Sequence, residues 1–175
     1  TAEIVSSFDS MKLLQHSENK GYGAALKTGI HNANNELICI TDADGTYPNE
    51  KIPRLVNQLI ENDLDMVVGA RTGKNVKIPM LRKPAKWAIG KLANYVTNQI
   101  IPDINSGLRM FKKSSFFPFQ NIVPNGFSFT TTITLGMLLS GYKVKFMPID
   151  YLKRSGKSKI RPIKDTTNFF ILILK

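Results

Sequence analysis

The stretch "ELICITDADGTYPNE", Glu36 to Glu50, decides how the rest of the chain is read. Leu37, Ile38, Ile40 and Thr41 make a β-favouring run that stops at two aspartates one residue apart, Asp42 and Asp44, before Gly45, Thr46, Tyr47 and Pro48. Side chains two apart on a strand project to the same face, and a strand's carboxyl end can keep that relation. Both carboxylates are therefore expected to aim at one point. Close carboxylates repel unless a cation or a shared proton relieves them. Hard ions such as Mg²⁺ and Mn²⁺ favour one or two carboxylates, with waters and substrate phosphates filling the remaining positions. In open α/β sheets such ligands bind off the carboxyl ends of strands, where this pair falls. Turn chemistry ahead of Gly45 is the competing reading. An EF-hand loop is excluded, because the glycine and glutamate positions counted from Asp42 hold Tyr47 and Pro53.

Outward from this stretch, strands and helices alternate. "MKLLQH" (11–16) is a short strand candidate, and 21–35 places Ala24, Ala25, Leu26, Ile30 and Ala33 at helical spacing. Beyond the aspartates, Ile52, Leu55, Val56, Leu59 and Ile60 share one helix face, with Pro53 tolerated in the first turn. "LDMVVGAR" (64–71) is an all-apolar strand of the kind covered on both faces. A helix near 85–101, a strand at 107–113, a helix at 129–140 and a strand at 142–149 continue the pattern. The expectation is an α/β domain around a mostly parallel sheet flanked by helices.

The 175 residues suffice for one domain with a core, and 42% are hydrophobic. The single cysteine, Cys39, excludes a disulfide framework and a cysteine zinc site, and points to a reducing compartment or the cytosolic face of a membrane. The opening residues lack the pattern of a secretory signal, and no apolar run is long enough to span a bilayer. The net charge of +11 is unevenly divided. Residues 1–70 hold 5 Lys/Arg against 10 Asp/Glu, whereas 71–175 hold 19 against 3. So basic a second part suggests an anionic partner: phosphates, nucleic acid or an acidic membrane surface.

"NKGYGAALKTG" places Gly21 and Gly23 at a helix start, where backbone N–H groups can meet a phosphate or a sugar. Leu26 stands where a dinucleotide fingerprint needs its third glycine, so that fingerprint is excluded. Capping or turn formation is the alternative role for both glycines. The last segment, 161–175, interleaves Arg161 and Lys164 with Ile163, Phe169, Phe170 and Leu172. It reads as a basic amphipathic segment suited to a membrane interface, with core packing as the alternative.

Six blocks in order carry a resemblance: "NKGYGAALKTGI" (19–30), "DADGTYPNE" (42–50), "VVGAR" (67–71), "NSGLRMF" (105–111), "GFSFTTTITL" (126–135) and "PIDYLKRSGKSKIRPIKD" (148–165). Together they resemble the family 2 glycosyltransferases with the GT-A fold, of the dolichyl- or polyprenyl-phosphate mannosyltransferase type. The likeness covers almost the whole chain. It implies a catalytic domain over 1–160 that lacks the first strands of the nucleotide-binding half, and a piece that is inactive by itself. The implied reaction is inverting transfer of a sugar from a nucleotide-sugar donor to a polyprenyl phosphate, at the cytoplasmic face of a membrane.

The same resemblance implies the site. Asp42 and Asp44 would hold Mg²⁺ or Mn²⁺ on the donor diphosphate, with Asp44 and Arg109 as catalytic residues. Asn19, Lys20, Gly21, Gly23 and Asp42 would line the nucleotide-sugar side. Arg71, Ser106, Arg109, Arg154, Ser158 and Lys159 would bind the acceptor phosphate. Thr46 and Thr132 depart from the commonest pattern, replacing a glutamine and a glutamate. Two other functions compete. One is transfer to a saccharide hydroxyl, which needs a carboxylate base that the acid-poor second part scarcely offers. The other is a non-catalytic basic module for anionic lipid or nucleic acid. Nucleic acid is not expected, because most Phe and Tyr residues sit in apolar segments and not among the basic ones.

Overall fold

The computed structural model describes residues 2–74, 76 and 83–152. Arg154, Ser158, Lys159 and the 161–175 segment lie outside the described residues. A short helix α1 (Ala2–Ser6) is followed by irregular chain, then α2 (Tyr22–Asn32), β1 (Leu37–Ile40), a 3₁₀ turn (Asn49–Lys51) and α3 (Ile52–Glu61). Next come β2 (Met66–Ala70), α4 (Lys83–Thr97), β3 (Arg109–Lys112) and α5 (Lys113–Phe116), the last running into a 3₁₀ turn at Phe117–Phe119. The described chain ends with α6 (Phe129–Leu139) and β4 (Val144–Pro148).

The four strands are ordered β1-β3-β2-β4. β2 and β4 pair parallel, while β3 lies antiparallel to both β1 and β2. Three strands thus share a direction and β3 is reversed between two of them, which makes the sheet mixed. This reversal puts the carboxyl ends of β1 and β2 and the amino end of β3 on one rim. Ile40 pairs with Arg109 on one side, and Val68 pairs with the same Arg109 on the other.

Alternation along β3 divides the core. Leu108 and Met110 join Val67, Met147 and Ile149 beneath Leu55 and Leu59 of α3. Each of those fully buried leucines contributes roughly 1.5–3 kcal/mol over an exposed one. On the other face, Phe111, Ile38, Ile40, Met66 and Val68 pack with Ile30 of α2, Phe116, and Phe129, Ile133 and Met137 of α6. α6 is buried almost all round, because α4 covers its far side through Ile89, Ala93, Leu135 and Leu138.

One sequence expectation changes. Residues 11–16 form no strand; Met11, Leu13 and Leu14 are exposed, and no ladder pairs them among the described residues. β1 lies at an edge of the described sheet, so Cys39 is exposed despite its apolar neighbours.

Candidate active site

The rim where β1, β2 and β3 meet collects the polar side chains. Asp42 follows β1, and its carboxylate lies against Gly107. A β-carbon at Gly107 would stand 3.0 Å from Asp42 Oδ2 and 3.2 Å from its Cγ. The same turn is fixed from the other side: the Gly107 N–H donates to the Tyr47 hydroxyl at 2.6 Å, and Ser106 Oγ donates to the Gly69 carbonyl at 2.6 Å. The Tyr22 hydroxyl of α2 faces Asp42; burial, reinforced by that negative charge, raises its ionisation well above the ordinary phenol range. Burial also raises Tyr47. Both phenols therefore remain neutral hydrogen-bonding groups.

Asp44 closes a local turn. Its Oδ1 accepts from the Thr46 amide at 3.2 Å and from Thr46 Oγ1 at 2.6 Å. Thr46 is fully buried, and its carbonyl accepts from the Leu152 amide at 3.0 Å. The turn carrying both aspartates is thereby anchored to the chain that leaves β4.

Arg71, just past β2, is held by Asp103. Its Nε and Nη2 donate to the two carboxylate oxygens at 2.7 and 2.9 Å, and its backbone N–H donates to Oδ2 at 3.0 Å. Nη2 also reaches Asn105 Oδ1 at 2.9 Å, and the guanidinium lies 5.2 Å from the Tyr151 ring centre. Burial alone would lower the Arg71 guanidinium, but the Asp103 carboxylate overrides that and raises it. Arg109 behaves differently. It is fully buried, and burial pushes it down to about 10. Its guanidinium donates to the Ser106 carbonyl, and at 3.1 Å each to the Thr130 carbonyl and Thr134 Oγ1 of α6.

The residues assigned to the acceptor phosphate thus divide. Ser106 and Arg109 are buried with their donors spent on backbone carbonyls and the Thr134 hydroxyl, so they shape the site from beneath and do not present themselves to a ligand. Arg71 reaches the site region but spends Nε and Nη2 on Asp103 and Asn105. Gly21 and Gly23 also have a packing reason. A β-carbon on either would overlap a carbonyl of Asn125 or Pro124, Gly21 has φ of 99°, and the Ala24 amide donates to Asn125 O at 3.2 Å. Beside them Asn19, Lys20 and Gly21 line a cavity of about 240 Å³ with His16, Gln15 and Thr28.

Tyr22, Tyr47, Gly107 and Asn105 were missed by sequence reasoning, and Asp103 was left without a role. One signal was available for Asp103. It is the only acid between Arg71 and Ile149, in a basic part of the chain, so a basic partner was to be expected.

The donor set at Asp42 and Asp44 is all carboxylate oxygen. Among the described residues no group of three or more His, Cys, Asp or Glu side chains gathers to hold a metal. Carboxylate oxygens are the donors that a hard ion such as Mg²⁺ or Mn²⁺ prefers, with water and substrate phosphate completing its shell.

The model of the Glycosyl transferase family 2 domain matches residues 1–117. The chain belongs to that family. It is 28% identical over 163 residues to the dolichyl-phosphate hexose transferase of Haloferax volcanii, which covers 93% of this chain and 69% of that protein. It is 26% identical over 160 residues to the undecaprenyl-phosphate mannosyltransferase of Micrococcus luteus, covering 86% and 65%. Among solved structures, glucosyl-3-phosphoglycerate synthase from Mycobacterium tuberculosis, in complex with phosphoglyceric acid, superposes with a TM-score of 0.63 at 14% identity. That match covers 88% of this chain and 54% of the synthase, and it shows the fold to be that of the GT-A glycosyltransferases. The family 2 chain thus spans about two thirds of these curated relatives and about half of the synthase.

Proposed function

We propose that this family 2 chain carries the donor-diphosphate centre of an inverting enzyme that passes a sugar from a nucleotide sugar to a polyprenyl phosphate. The observation that carries the reading is the Asp42 carboxylate seated on Gly107 at the shared rim of three strands. The names of the relatives supply the substrate class.

Asp42 and Asp44 are the residues to hold Mg²⁺ or Mn²⁺, which when bound neutralises charge on the departing nucleoside diphosphate. Tyr22 meets Asp42 as a neutral phenol, and Tyr47 holds the Gly107 turn on which Asp42 rests. Asn19, Lys20 and Gly21 take the nucleotide side through the cavity they line. The acceptor phosphate is already an anionic nucleophile, so the chain has to attract it and need not deprotonate it. Arg109 and Ser106 serve as positioning residues behind the rim. Binding the acceptor falls to Arg71 and to Arg154, Ser158 and Lys159, in the basic stretch of sequence that follows Leu152.

A saccharide hydroxyl acceptor would need a carboxylate base. Asp103 is engaged by Arg71 through both oxygens, which favours the phosphate acceptor. A lipid acceptor implies association with a membrane surface, and the cytoplasmic face is the side proposed; among the described residues no helix is long and apolar enough to cross one.

The test is transfer of labelled sugar to polyprenyl phosphate by the protein expressed at full length, with and without divalent ion. Asp42→Asn and Asp44→Asn should each lower the rate on the order of a hundredfold or more while leaving the circular dichroism unchanged. Undiminished transfer in both variants would end the reading.

A further inference from the structure

The face of α4 turned away from the core carries side chains that a water-facing helix ordinarily lacks. Ile89 and Ala93 are buried against α6, with Leu92 and Val96 partly covered beside them. On the opposite face Trp87 is 67% exposed and Tyr95 85% exposed, with the exposed Lys91 between them. The i, i+4, i+8 spacing sets these three in one line about 12 Å long. Just past the helix, Ile100 is 88% exposed. Along its sequence α4 holds Lys83, Lys86 and Lys91 and no Asp or Glu.

We infer that the Trp87–Lys91–Tyr95 face of α4 is a docking surface for an anionic lipid bilayer, with the helix lying in the headgroup region. The chemistry selects this occupant over another protein. Trp and Tyr are amphipathic rings that settle at the boundary between headgroups and acyl chains. Lysine can extend its apolar stem along that boundary while its ammonium meets lipid phosphates. A helix whose only charged residues are lysines is drawn to anionic headgroups and would repel a second copy of itself. A protein groove would call for a continuous apolar stripe, whereas here a lysine interrupts the two aromatic rings. The placement is useful to the reaction, because the chain leaving α4 leads straight to Asp103 and the rim. A bilayer under α4 would therefore present a lipid-borne phosphate close to the site. This inference adds a surface to the proposed transfer reaction and does not depend on its chemistry.

Trp87 is the only tryptophan, so its fluorescence reports on this face alone and not on the 161–175 segment. The experiment mixes the protein with vesicles of phosphatidylcholine, or of phosphatidylcholine with phosphatidylglycerol, without nucleotide sugar or polyprenyl phosphate. With the anionic vesicles alone, Trp87 emission should move to shorter wavelength and be quenched by brominated lipid. Lys91→Glu and Tyr95→Asp, both at exposed positions that leave folding undisturbed, should each weaken vesicle binding roughly tenfold and reduce the shift. Three results would overturn the inference: unchanged Trp87 emission while the protein sediments with vesicles, an equal shift on both lipids, or no binding at all. Because no substrate is present, none of these bears on whether sugar transfer occurs.

Discussion

Gly107 lacks a side chain where Asp42 takes up the space that one would need. Gly107→Ala would bring a methyl group to 3.0–3.2 Å from the Asp42 carboxylate, tight enough to displace it by a few tenths of an ångström. The expected result is a fall in transfer of about tenfold, with a raised requirement for divalent ion and little loss of stability. Tyr22 offers a readout in pH. Its ionisation is raised in the folded state, first by burial and then by Asp42. The neutral phenol's contribution to stability is therefore complete below about pH 10, where unfolded tyrosine ionises, and is lost progressively above it. Thermal melts should show a shallower alkaline decline in Tyr22→Phe than in the parent. At this scale the position of the aspartates just past a strand was legible, and so was the turn that Asp44 closes with Thr46. Arg109 was not. Which face a strand residue takes is set by register with its neighbours, and nothing in "NSGLRMF" announces that its arginine turns inward under α6.

Among the elements, β2, α3 and α6 could be read because their burial follows a period that composition displays. Leu55 and Leu59 mark one face of α3, and every residue of β2 is buried. The reversal of β3 could not be read. Direction depends on the path taken between strands, and the alternation of strand and helix suggested parallel crossovers. Residues 11–16 show the complementary limit: a short alternating run becomes a strand only where a neighbouring edge receives its hydrogen bonds. The entry to α2 was half legible, since glycines at a helix start suit ligand approach and backbone packing alike. The loop at Pro124–Asn125 decides for packing at Gly23. Gly23→Ala forces a methyl group into a carbonyl oxygen of that loop, and backbone yields less readily than a side chain. A loss of roughly 1–3 kcal/mol is expected in denaturant unfolding, with donor affinity falling as Tyr22 moves off Asp42.

Across the whole molecule, charge separates along the chain, with 10 Asp/Glu against 5 Lys/Arg in residues 1–70 and 3 against 19 afterwards. The acidic part holds Asp42 and Asp44, and the basic part holds Arg71, Arg154 and Lys159. Both proposed substrates are anions, so attraction over distance must come from the second part. Raising ionic strength from low to physiological should increase KM for the nucleotide sugar several-fold with little change in kcat. An unchanged KM would place the attraction entirely in direct contacts. The interlock at β3 also has a consequence for how this sequence can vary. Arg109 is flanked by Ile40 and Val68, and Gly107 precedes it by two residues. One residue inserted between Gly107 and Met110 would shift the packing of Arg109 and Asp42 together, leaving two polar groups stranded at once. β3 should therefore keep its count of residues wherever this sequence varies in length.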